Sequence, residues 1–241
     1  MYKIMKNLVL MLFLFSLAFA YQGCEKDNEE DDDQNVCAQC AVTPEAKAAY
    51  DESSAGVYKG IVTGSSGTLV FYVGNEGNEI KALLAFDGKS AVLTSQSFAD
   101  WTPGEAITDA LFTGTLDNQA IQATFSVSAN GLNPSVNLSI PGHSIYVAVF
   151  KETSEVLVKS FEGRYTGDET GALNILFSGD EFTVLTNGQV MARRTKLVNG
   201  KIQFTYSETK VAGEFITEDL LKGTWQNQDG EKGTWEAKRT L

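Results

Sequence analysis

Thiol and imidazole chemistry have few places to reside in this chain of 241 residues, which holds three cysteines and one histidine. Two cysteines stand together as Cys37-Ala38-Gln39-Cys40. This spacing can lower a thiol pKa and support dithiol exchange. Such motifs open a helix that follows a buried strand, whereas this one follows an acidic run. Haem attachment would need a histidine at the position of Ala41, and structural zinc would need two further ligands nearby. The pair therefore reads as a small-loop disulfide formed in an oxidising compartment. No redox catalyst, metal or cofactor is expected.

His143 lies in Ile140-Pro141-Gly142-His143-Ser144, a turn between two strand patterns. A catalytic base needs a nucleophile and an orienting carboxylate. Ser144 is adjacent, but neighbours along a strand point to opposite faces, and no Gly-x-Ser-x-Gly elbow is present. Paired carboxylates could hydrolyse glycosides, and Asp168-Glu169, Asp180-Glu181 and Glu218-Asp219 are the candidates. Each lies beside turns or glycines, where acidic residues are common for conformational reasons, and the sequence sets no aromatic cluster beside any of them. There is no calcium loop and no phosphate-binding loop. The chain is expected not to be an enzyme, and no catalytic residue is assigned.

The whole chain carries 31 acidic and 19 basic residues, a formal charge of −12. A phosphate backbone requires a basic face, so nucleic acid is not an expected partner. With 43% hydrophobic and 10% aromatic residues the chain can build a true core.

Residues 1–23 read as an export signal: Lys3 and Lys6 precede the apolar run Leu8 to Ala20. That run is too short to span a bilayer core of roughly 30 Å as a helix. Two cleavage points compete. Ala18-Phe19-Ala20 would release a soluble protein beginning at Tyr21. Gly23-Cys24 resembles the end of a lipoprotein signal, although Tyr21 stands where leucine is usual. The tract Glu25-Lys26-Asp27-Asn28-Glu29-Glu30-Asp31-Asp32-Asp33 follows directly. Together with Ala49-Tyr50 before Gly56-Val57-Tyr58-Lys59-Gly60, and with Gly233-Thr234-Trp235-Glu236-Ala237-Lys238-Arg239, it resembles uncharacterised Bacteroidetes-type surface lipoproteins. The resemblance implies a lipidated Cys24, a place at the bacterial outer membrane facing outward, and a β-rich body. A lipidated Cys24 also accounts for the odd cysteine left when Cys37 and Cys40 pair. A secreted or periplasmic location is the alternative.

The body reads as all-β. Ile121, Ala123, Phe125 and Val127 alternate with polar residues, as do Val136, Leu138 and Ile140, and Ile202, Phe204 and Tyr206. Period two with one polar face indicates half-exposed antiparallel strands. Asp87-Gly88, Asn130-Gly131, Asn187-Gly188, Asn199-Gly200 and Asp229-Gly230 favour tight hairpins, hence an up-and-down order. About sixteen strands are expected between Val57 and Thr240. One short helix is expected after Thr43-Pro44, ending near Asp51, and Thr217 to Lys222 could form a further turn of helix.

The expected organisation is a signal over 1–23, a lipidated acidic tether with the cysteine pair over 24–40, and two β-rich halves over 41–154 and 155–241. Gly56-Val57-Tyr58-Lys59-Gly60 and Gly163-Arg164-Tyr165-Thr166-Gly167 open the halves alike, which suggests two related barrels or sandwiches. With short strands, side chains are expected to fill the second half. Gly223-Thr224-Trp225-Gln226-Asn227-Gln228-Asp229-Gly230 resembles the opening strand of avidin-type biotin binders, but the strands that should follow would lie beyond Leu241. The better reading is a terminal hairpin with Trp225 and Trp235 covering one core.

These features point to a membrane-anchored binding or interaction module for a protein or glycan, held to the membrane by its N-terminal lipid. Trp101, beside Asp100 and Pro103 in a longer connection, is the candidate ligand contact, and a core plug is its alternative role. A small-molecule carrier with a barrel cavity, or a carbohydrate-active enzyme, are the other functional readings.

Overall fold

The computed structural model describes residues 37–63, 67–77, 79–187 and 189–241. Lipidation of Cys24 and the signal therefore lie outside the described residues. Sixteen strands carry the described residues. The first eight are β1 (Gly56–Val62), β2 (Gly67–Val73), β3 (Ile80–Phe86), β4 (Lys89–Ser95), β5 (Ile107–Leu116), β6 (Gln119–Val127), β7 (Ser135–Ser139) and β8 (Val147–Glu152). The second eight are β9 (Val158–Gly167), β10 (Gly171–Ser178), β11 (Glu181–Thr186), β12 (Gln189–Lys196), β13 (Ile202–Tyr206), β14 (Thr209–Thr217), β15 (Leu220–Gln226) and β16 (Lys232–Arg239).

Each set of eight makes its own antiparallel sheet, and in each the last strand pairs with the first. The orders are β7-β6-β5-β4-β3-β2-β1-β8 and β12-β11-β10-β9-β16-β15-β14-β13. Pairing of β8 with β1, and of β16 with β9, curls each sheet into a nearly closed barrel. One seam stays open in each ladder, between β7 and β8 in the first barrel and between β12 and β13 in the second. The tight turns behave as local chemistry dictates: Asp87-Gly88 and Asn199-Gly200 take positive φ at both residues, the geometry that matches strand twist.

The first interior is filled by aromatic rings. Phe71 stacks on Phe125 at 4.8 Å and meets Phe112 edge-on at 5.0 Å. Tyr58 lies edge-on to Phe125 at 4.9 Å, and its hydroxyl donates to the Ser54 carbonyl. The outer faces of the barrels pack on each other through Ile61 and Phe150 on one side and Val158, Leu176 and Leu185 on the other. Asn174 crosses this contact and donates to the Val62 carbonyl at 3.0 Å.

The two glycine-tyrosine-glycine segments both lie in the opening strand of their barrel, but their tyrosines do not occupy equivalent places. Gly60 faces Leu69 and Gly163 faces Leu173 across the ladder, so these glycines correspond. Tyr58 is thus in the deep core, while Tyr165 sits near a barrel mouth.

The helix expected after Thr43-Pro44 is not formed. A single 3-10 turn at Ala48–Tyr50 takes its place. The reason is tertiary: the Glu45 amide donates to Glu152 Oε1 at 2.7 Å, and the Lys47 amide donates to Asn75 Oδ1 at 3.2 Å. These acceptors belong to the first barrel and hold the segment extended against it. Residues Thr217 to Lys222 likewise form no helix, because β14 and β15 continue to within two residues of each other there.

A buried ion pair fastens this strap. Lys59 Nζ lies 2.8 Å from Glu152 Oε2 and 3.0 Å from Glu45 Oε1. The Lys59 side chain is 2% exposed and that of Glu152 is fully buried. Glu152 Oε2 also accepts the Val158 amide at 3.0 Å. Lys59→Met leaves a buried carboxylate without its cation and is expected to cost about 3–5 kcal/mol, read from urea unfolding.

Burial pushes the Glu45 carboxyl up, but hydrogen bonds from Lys59 and Tyr72, with the Lys59 charge, hold it below its ordinary value of 4.5. The unfolded chain therefore takes up this proton at a higher pH than the folded one. Glu45 contributes stability that is present above pH 4.5 and is lost as pH falls through its folded value. Glu45→Gln should make the urea midpoint fall less steeply between about pH 5 and pH 3.

Candidate functional site

The second barrel is filled at one end only. Phe177 meets Phe161, Phe182 and Phe215 at centroid distances of 5.5, 5.8 and 5.2 Å, closing that end. At the other end the inward positions carry Tyr165 on β9, Leu173 on β10, Val184 on β11, Phe204 on β13 and the indoles of Trp225 and Trp235. They enclose a cup of about 380 Å³. Its rim is polar, with Glu169, Asn187, Gln189, Ser207, Thr209 and Asn227. The expectation that side chains fill this barrel is thus corrected.

Three inward glycines explain the free space. In the β15–β16 hairpin Trp225 faces Gly233 and Trp235 faces Gly223, while Gly223 in turn faces Gly213 on β14. A Cβ at Gly213 or Gly223 would overlap the Trp235 ring, and one at Gly233 would collide with the Trp225 indole nitrogen. None of the three has a positive φ. Their role is close approach: each indole lies down on the wall over a missing side chain instead of projecting across the barrel. Trp225 Nε1 donates to the Thr166 carbonyl and Trp235 Nε1 to the Ala212 carbonyl, both at 3.2 Å. A buried indole N–H needs such a partner. With those donors satisfied by the wall, both indoles remain part of the cup lining.

Two side-chain contacts shape the mouth. Asn187 Nδ2 donates to the Tyr165 hydroxyl at 2.7 Å, and its Oδ1 accepts the Ala172 amide at 3.1 Å. Tyr206 Oη donates to Gln189 Oε1 at 3.4 Å across the β12–β13 seam. Burial pushes the Tyr165 phenol up, and the nearby Glu169 charge adds to this. Glu169 is the sole charged side chain lining the cup among the described residues.

Trp225 and Trp235, read from sequence as covering one core, line the cup with Glu169, and the other candidate site residues singled out from sequence lie elsewhere. Cys37 and Cys40 are joined by a disulfide, with Cα atoms 5.3 Å apart. The Cys37 amide donates to Asp219 Oδ2 at 2.9 Å, which fixes this small loop on the second barrel. Trp101 belongs to the first barrel, half-buried against its core and edge-on to Phe98 at 5.4 Å. Its indole N–H donates to the Glu105 carbonyl at 3.2 Å. His143 is exposed, with its ring edge-on to Phe86 at 5.0 Å.

The acidic pairs fall in three separate turns, β9–β10, β10–β11 and β14–β15, and are not brought together. Asp180 pairs with Lys196 at 3.5 Å, and Asp219 with Arg239 at 3.2 Å. Glu169 is the exception, because it stands beside the aromatic wall of the cup, where the sequence showed no aromatic cluster. Among the described residues no group of three or more His, Cys, Asp or Glu side chains is placed to hold a metal ion. Nor is any helix among them long and apolar enough to cross a membrane.

The cup was missed because its walls come from eight strands spread over the second half of the chain. One local signal was present: Gly223-Thr224-Trp225 and Gly233-Thr234-Trp235 repeat a glycine and a tryptophan on the same strand face. Compared with known proteins, the chain matches no family model, no curated protein and no solved structure.

Gly223→Val should force Trp235 off the wall into the cup. The expected cost is about 1–3 kcal/mol in urea unfolding, with a shifted tryptophan emission maximum. Thr224→Val, on the exposed face of the same strand, should stay within about 0.5 kcal/mol and leave the emission unchanged.

Proposed function

We propose that this protein is an exported, membrane-anchored binding protein that takes a small, partly apolar molecule into the cup of its second barrel. The observation that carries the reading is the cup itself: about 380 Å³, lined by Leu173, Val184, Met191 and Phe204, walled by Trp225 and Trp235, and rimmed by amides and hydroxyls. Ligand sites of this size have mostly apolar walls and a few polar groups that fix orientation. The indole N–H groups are already bonded to the wall, so a ligand would meet ring faces and rim amides.

The anchor is the part of the reading that rests on sequence. A basic and apolar leader, Cys24 and the acidic tract that follows it support lipidation and an extended tether at the outer membrane. The disulfide at Cys37 and Cys40 suits an oxidising compartment. Trp101, with its ring packed on the first core and away from the cup, serves this function less well as a ligand contact.

Paired denatured and native mass spectrometry on protein gently extracted from its own cells tests both parts. The denatured mass is expected to be that of a chain beginning at Cys24 with acyl groups. The native mass is expected to exceed it by a small molecule that Val211→Trp, which fills the cup, no longer retains. A soluble mass beginning at Tyr21 would overturn the anchor. A native mass without ligand, together with no uptake of an apolar fluorophore by the full chain, would overturn the cup.

A further inference from the structure

Resting on the reading of the cup as a ligand site, we infer that it selects an organic cation, an alkylated ammonium group on an apolar body, over an anion of the same size. Three observations converge. Tyr165, Phe204, Trp225 and Trp235 line the cup with aromatic rings. A ring face carries the negative lobe of its quadrupole, so a cation against several rings is attracted by all of them. Glu169 at the rim adds the one formal charge of the lining among the described residues, and its sign is negative.

The third observation is what an anion would meet. No lysine or arginine lines the cup among the described residues. The whole chain carries −12, so its long-range field draws cations inward and holds anions off. An anion entering here would lose its hydration without a compensating donor of positive charge, which is costly. An alkylated ammonium is weakly hydrated and presents methyl groups to the rings, so it enters at small desolvation cost. A primary ammonium would lose stronger hydration, and the rim amides could restore only part of it. A neutral body of the same shape would fill the space without using Glu169. Recognition of quaternary ammonium by aromatic cages is the general form of this chemistry.

Three probes of one shape separate the cases: phenyltrimethylammonium, tert-butylbenzene and benzenesulfonate. Each is titrated against the full chain by displacement of an apolar fluorophore that quenches tryptophan emission. The cation is expected to bind on the order of tenfold more tightly than the neutral probe, and the sulfonate more weakly than either. Glu169→Gln should reduce the preference for cation over neutral probe several-fold, and Glu169→Asp should restore part of it. Raising salt should weaken the cation selectively.

Equal affinity for cation and neutral probe, tighter binding of the sulfonate, or an unchanged preference in Glu169→Gln would each overturn the inference while the cup remained a ligand site. Failure of the fluorophore itself to bind would overturn the underlying reading instead. Urea unfolding of each variant guards against loss of the fold, and Glu169 lies in an exposed turn where substitutions are well tolerated.

Discussion

A single buried carboxylate holds together parts of the molecule that are far apart in sequence. Glu152 ends β8, the strand that closes the first barrel, and its oxygens accept from Lys59 on the opening strand, from the Glu45 amide in the strap, and from the Val158 amide at the start of the second barrel. Burying a carboxylate and an ammonium costs several kcal/mol each unless geometry and further hydrogen bonds compensate. Here the compensation comes from three different segments. The carboxylate is satisfied only when the barrel is closed, the strap is docked and the second barrel begins where it does. That requirement makes a costly group a specificity device.

A second such point sits at the other end of the strap. Arg239 pairs with Asp219 and also donates to the Ala41 carbonyl, while the Cys37 amide donates to Asp219. The last strand of the second barrel, its β14–β15 turn and the disulfide loop thus share one buried charge pair. Between these two points the strap runs along both barrels, and Ala46 packs with Val57, Val70 and Leu241. Cys37, where the described residues begin, is held beside the β14–β15 turn of the second barrel. The cup opens at the opposite end of that barrel, because its mouth is built from the β9–β10, β11–β12, β13–β14 and β15–β16 turns.

The two barrels share a topology of closure but spend their interiors differently. In the first, Tyr58, Phe71, Phe112 and Phe125 meet across the axis and leave it packed. In the second, phenylalanines do the same at one end, while glycines at the other let the tryptophans lie against the wall. An eight-stranded barrel has only enough room for side chains or one small ligand. Which of the two it holds is decided by where the glycines fall on the inward face. In the second barrel Gly213, Gly223 and Gly233 lie opposite or beside the two tryptophans, and that pairing keeps the indoles on the wall.

Much of the fold was legible in the sequence. Alternation such as Ile202, Phe204 and Tyr206, together with Asp-Gly and Asn-Gly turns, determined an all-β meander in two sets of strands, because strand period and hairpin geometry are local properties. Even so, Ser207-Glu208 forms a tight hairpin with positive φ and no glycine, aspartate or asparagine, and composition gave no sign of it. The helix after Thr43 was legible locally and was overruled, because Glu152 and Asn75 take its amide hydrogens. Of the candidate site, the glycine-tryptophan repeat of β15 and β16 was visible, but its meaning was not. Whether an indole crosses a barrel or lies on its wall depends on which residue the ladder sets opposite, and register across strands is decided only when the sheet closes. Glu169 gained its place beside the aromatic rings, and Lys59 its burial, through contacts of the same non-local kind.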